Sequence, residues 1–64
     1  MRVLGLEDLF DKDILLIIKD ELSETKEFVL VKEMFTALSY NTLTSTVEKI
    51  RIIDKDRVEV LIWQ

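Results

Sequence analysis

Residues 50–63, IRIIDKDRVEVLIW, constrain the fold more than any other part of this chain. Ile50 and Ile52 alternate with Arg51, and Val58, Val60 and Ile62 alternate with Glu59 and Leu61. A period of two with a polar DKD break in the middle predicts two antiparallel strands and a tight turn. A slip of one residue would invert every side chain, so the apolar residues fix the register. Ile52 is expected opposite Val58, Ile50 opposite Val60 and Arg51 opposite Glu59. That pairing asks for a three-residue loop of Asp54, Lys55 and Asp56, with Ile53 opposite Arg57 and Asp56 in the left-handed region. A two-residue loop of Lys55 and Asp56 would set Ile52 against Glu59, and it is rejected. The Val58–Val60–Ile62 face is expected inward. Leu61 and Trp63 fall on the other face, which predicts that a helix or a partner meets it.

Upstream, the pattern reads as helical. Leu6, Leu9, Phe10, Ile14, Ile17 and Ile18 recur at spacings of three and four, which predicts a helix over residues 6–22, with Glu7, Asp8 and Asp11 in its early turns. Within it the run ILLII puts Leu15 and Leu16 off the main apolar face. Either that helix is covered on two sides, or the run is a buried strand entered at Asp13; its length favours the helix. Ser23 or Thr25 would cap a second helix over 26–38, where Phe28, Val31, Met34, Phe35 and Leu38 share a face. A third is expected over 42–50 on Leu43, Val47 and Ile50, with Ser45 and Glu48 at capping-box spacing. The expected class is α+β, with two or three helices packed on a C-terminal antiparallel β-hairpin in one small domain spanning 1–64.

Sixty-four residues bury only about 60% of the unfolded surface, so support from a staple or a partner is expected. Without Cys or His there is no disulfide and no metal site except one built from carboxylates. The combination of 48% apolar and 34% charged residues, with one Gly and no Pro, describes an amphipathic folded domain. A formal charge of −4 argues against phosphate attraction by the domain as a whole. No apolar run approaches the ~18 residues of a membrane span and no leader is visible, so a cytoplasmic setting is expected.

Catalysis is difficult to assemble from these side chains. There is no His or Cys base or thiol, and no Gly-rich phosphate loop. Paired carboxylates (Glu7 with Asp8, Asp11 with Asp13, Asp20 with Glu21, Asp54 with Asp56) suit acid–base or Mg²⁺/Ca²⁺ chemistry in principle, but the DKD triplets lack the other ligands of a calcium loop. They read as charge on helix ends and a turn. No metal, cofactor or small-molecule substrate is expected. Residues 31–50 also fit a helix-turn-helix frame followed by a wing, with Thr42 and Ser45 facing the groove and Lys49, Arg51, Lys55 and Arg57 beside it. Tyr40, Thr42 and the missing turn Gly fit that frame poorly. These six are the DNA-contact candidates; Leu61, Trp63, Leu15 and Leu16 are the interface candidates.

Residues 35–63, FTALSYNTLTSTVEKIRIIDKDRVEVLIW, resemble the C-terminal end of the large serine recombinases of the phage integrase and transposon resolvase type. Phe35, Leu38, Leu43, the run 47–50, Ile52, Asp54, the run 57–60 and Trp63 carry the likeness. The resemblance implies a region that follows a zinc ribbon, completes a DNA-binding domain and supports contact between recombinase subunits. The zinc-binding cysteines and the catalytic serine domain have no counterpart in this chain. The implied function is a non-catalytic module of site-specific recombination that works by protein–protein contact, through self-association or parent recombinase subunits, with DNA contact secondary. A winged-helix-like transcriptional regulator and a small structural homo-oligomer are the alternatives.

Overall fold

The computed structural model describes residues 1–10 and 12–63; Asp11, one of the paired carboxylates above, lies outside them. The protein is a small α+β domain built on one mixed four-stranded sheet. A 3-10 helix, Val3–Leu9, leads into β1 (Leu15–Asp20) and β2 (Thr25–Leu30). A short 3-10 turn, Val31–Glu33, continues into α1 (Met34–Ala37), followed by α2 (Tyr40–Thr44), β3 (Thr46–Asp54) and β4 (Arg57–Trp63). The strand order is β2-β1-β4-β3. The β1–β2 and β3–β4 pairs are antiparallel hairpins, and the two central strands, β1 and β4, run parallel.

The expected helix over 6–22 is therefore corrected to a 3-10 segment and a strand. The run ILLII is apolar without a gap because β1 is an interior strand with something to bury on both sides. Leu16 and Ile18 enter the core, while Leu15 and Ile17 point to the opposite face. The expected helix over 26–38 is likewise replaced by β2 and two short helical turns. Val29 is buried while Phe28 and Leu30 are exposed, an alternation of period two. The helical spacing of Phe28, Val31 and Met34 spans the junction of a strand with the helical turns after it. The third expected helix, 42–50, ends at Thr44: β-branched Thr46, Val47, Ile50, Ile52 and Ile53 carry the chain into a nine-residue strand. Ser39 caps α2, accepting from the Thr42 backbone N–H, and Ser45 follows its last turn.

The C-terminal hairpin pairs Ile52 with Val58, Ile50 with Val60 and Arg51 with Glu59, as the alternation requires. Its turn differs from the expected one. Asp54, not Ile53, lies opposite Arg57; the turn is Lys55 and Asp56 alone, and a bulge at Ile53 restores the apolar register. Asp56 does not take the left-handed conformation, which among the described non-glycine residues only Glu24 adopts, at φ 57°. The Asp54 carboxylate does the closing: it accepts from the Asp56 N–H at 2.8 Å and from Arg57 Nε at 2.9 Å.

The core lies between the sheet and the helical segments. Val3, Leu6, Met34 and Leu38 pack down onto Leu16, Ile18, Val29, Val58, Val60 and Ile62. The first residues also cover one end of β3: Val47 N–H donates to the Met1 carbonyl at 2.7 Å and Val3 N–H to the Ser45 carbonyl at 3.0 Å. Among the described residues, no helix is long and apolar enough to cross a membrane.

Candidate interaction surface

Residues paired across a sheet share a face, so the register defines the side of the sheet away from the helices. Three rows cross all four strands: Leu30, Leu15, Arg57 and Asp54; Phe28, Ile17, Glu59 and Arg51; Lys26, Lys19, Leu61 and Lys49. Trp63 beside Thr46 completes the far end. No described element packs over this face. Phe28 is 64% exposed, Trp63 51% and Leu30 38%. Ile17 is 9% exposed yet stands outside the core cluster, covered by its neighbours on the same face.

The apolar side chains form a diagonal band, from Leu30, Leu15, Phe28 and Ile17 on β2 and β1 to Leu61 and Trp63 on β4. Cations flank it on both sides. This face holds five of the nine Lys and Arg residues (Lys19, Lys26, Lys49, Arg51 and Arg57), although the chain as a whole is acidic. Two carboxylates on the face are already engaged. Glu59 lies 4.0 Å from Lys19 and 3.7 Å from Arg51, and Asp54 lies 2.7 Å from Arg57. The Arg57 hydrogen bond, helped by the Asp56 backbone N–H, holds the Asp54 carboxyl below its ordinary value. At the Leu61 end, the side chain of Glu21 reaches that of Glu48. Their shared hydrogen bond and mutual repulsion raise the Glu21 pKa, against an opposing pull from Lys19.

The candidates from sequence divide between this face and the interior. Lys49, Arg51, Arg57, Leu15, Leu61 and Trp63 all lie on the uncovered face, and Lys55 is exposed in the β3–β4 turn. Leu16 belongs to the core and is not available to a partner. Thr42 and Ser45 are buried too. Ser39 Oγ donates to Thr42 Oγ1, and Ser45 Oγ donates to the Asn41 carbonyl at 2.7 Å, so both hydroxyls are used internally. The helix-turn-helix frame is not formed, because Val47 and Ile50 of the expected third helix lie in β3. Sequence reasoning missed Phe28, Leu30, Ile17, Lys19 and Lys26. The alternation within KEFVLV was the signal for Lys26, Phe28 and Leu30; Ile17 and Lys19 belong to a run without alternation and carried none.

Two other features are smaller. A cleft of about 210 Å³ at the helix-side end of the sheet is lined by Asp20, Ser23, Thr25, Glu27 and Thr42. Its polar atoms largely satisfy one another: Asp20 accepts from the Leu22 N–H at 2.9 Å, and the Ser23 and Thr25 hydroxyls are 2.8 Å apart. No group of three or more acidic side chains placed to hold a metal occurs among the described residues. The second feature is the outer edge of β3 beyond Val47. It presents Ile50, Ile52 and Ile53, with Ile52 74% exposed, along a strand that has no neighbour on that side.

Comparison with protein-family models, curated proteins and solved structures yields no match to this chain.

Proposed function

We propose that the chain is a non-catalytic interaction module that offers its uncovered sheet face to a protein partner. The single observation that carries this reading is the diagonal of exposed Phe28, Leu30 and Trp63, joined by half-buried Leu61, on a sheet whose opposite face already holds the core. A sheet normally buries both faces or solvates one with polar residues; a face combining exposed aromatic rings with apolar neighbours marks a contact surface. The likeness of residues 35–63 to the C-terminal region of large serine recombinases suggests the setting, contact with recombinase subunits during site-specific recombination. DNA contact is secondary, since Thr42 and Ser45 are internal and Arg51 and Arg57 are paired with carboxylates.

Fluorescence anisotropy with random duplex DNA at low and moderate salt tests the order of these roles. Absent or millimolar binding is expected. Micromolar binding that collapses with salt would put phosphate contact first and overturn the protein-contact reading. A second reading, a small homo-oligomer, is favoured by the open β3 edge with its exposed isoleucines, since an unpaired edge is a template for another strand. Sedimentation of the parent chain and of Ile52→Lys separates the two: self-association lost in that variant would assign the edge, not the face, to assembly.

A further inference from the structure

From the charge pattern around the apolar diagonal, and resting on the interaction reading above, we infer that the occupant of this face is an amphipathic helix bearing acidic residues along both edges of its apolar stripe. The band is one side chain or two wide along its length, which suits a single helix laid obliquely across the strands better than a second sheet. Lys26 and Lys19 stand on one side of it and Lys49, Arg51 and Arg57 on the other. Lys26 and Lys49 make no ion pair among the described residues, and Lys19 and Arg51 share the single carboxylate of Glu59. A second copy docked face to face would bring these same cations against each other, which opposes the contact. A helix with acidic flanks meets them with opposite charge on both edges. The Glu21–Glu48 pair lies at the Leu61 end and acts on the polarity of the helix. The positive N-terminal end of the partner's backbone dipole is placed over the two carboxylates.

The test uses the full chain, isotopically labelled, and two stapled helical peptides with one leucine stripe, one flanked by Glu and the other by Lys. The Glu-flanked peptide is expected to shift the amides of β1, β4 and Phe28 and to bind roughly 10-fold more tightly at low salt, a margin that narrows as salt screens it. Lys19→Glu combined with Lys26→Glu, both at solvent-accessible positions, is expected to shrink or invert the preference. A paramagnetic tag on the peptide N-terminus is expected to broaden the resonances of Glu21 and Glu48. Equal binding of the two peptides, or preference for the Lys-flanked one, overturns the acidic-helix assignment while leaving the face an interface. Binding of neither peptide overturns it as well. If in that case the chain also binds random duplex DNA at micromolar concentration in a salt-sensitive way, the interaction reading falls with it.

Discussion

Adjacent residues of β1 report on opposite faces of the sheet, and truncating each in turn measures how differently the two faces are covered. Leu16 is fully buried between the sheet and the helical layer. Its replacement by Ala leaves a closed cavity and is expected to cost about 3–4 kcal/mol, within the range for buried leucines. Ile17 is nearly as inaccessible, but solvent lies beyond its cover, so neighbours and water refill the space. Ile17→Ala is expected to lose only transfer free energy, about 1–2 kcal/mol. A chain of this length has a total stability of roughly 3–10 kcal/mol, so Leu16→Ala falls at or near the threshold of folding. Urea titration followed by far-ultraviolet circular dichroism reads the difference. With a slope of about 1 kcal/mol per molar, the two midpoints should lie about 2 M apart. Should Leu16→Ala be unfolded in buffer, Ile18→Val, at about 0.5–1.5 kcal/mol, takes its place at the same face and is set against Ile17→Val, which is expected to cost less. Equal losses at positions 16 and 17 would refute the reasoning, because they would mean that both faces are packed alike.

Other expectations concern the turns and the charges. Glu24 holds φ 57°, where a Cβ is strained, so Glu24→Gly is expected to stabilise the protein by about 0.5–1 kcal/mol in thermal unfolding. Arg51→Glu sets two carboxylates opposite each other across β3 and β4; it should cost about 0.5 kcal/mol, discounted for the exposure of Arg51, and adding Glu59→Arg should recover part of it in a double-mutant cycle. Asp54, with its folded pKa below its unfolded one, contributes stability that is present above the unfolded value of about 3.8 and lost as pH falls through the folded value. Asp54→Asn should therefore lower the melting temperature at pH 7 and matter less in acid. Glu21 has the opposite sign: its raised folded pKa means stability present below about 4.5 and lost as pH rises. Glu48→Gln is thus expected to raise the melting temperature at neutral pH, with a smaller gain near pH 4.

The hairpin was legible in the sequence because its apolar residues alternate on both strands, and only one register puts them on a common face. Its turn was not, because a bulge at Ile53 adds a residue without changing the pattern seen further along. Residues 14–18 were ambiguous for a physical reason. A strand with apolar side chains on both faces has no period, and a helix wrapped on two sides has none either. Length favours the helix, but only six of the residues from 6 to 22 form the strand. Half of the candidate surface was found through Leu61, Trp63, Leu15 and the basic residues of the hairpin. The rest, Ile17 and Lys19 on β1 and Lys26, Phe28 and Leu30 on β2, sits in stretches whose apolar spacing reads as helical. Without a neighbouring strand, Phe28 and Lys26 had no sheet face to share.

The parallel pairing of β1 with β4 bears on how the protein reaches its native state. Each antiparallel hairpin closes through a short local turn, at residues 21–24 and 55–56. The contact that joins them links Leu15 to Arg57 and Asp20 to Ile62, across most of the chain, and it forms the middle of the sheet. Neither hairpin has a buried face until that joint closes, and two isolated strands are marginal in water. Loop closure must be met before any of the central burial is gained, so the search for this one non-local registration is expected to set the folding rate. Substitutions at the β1–β4 seam, such as Val60→Ala, should slow refolding in proportion to the stability they remove. Changes confined to the two turns should act chiefly on unfolding.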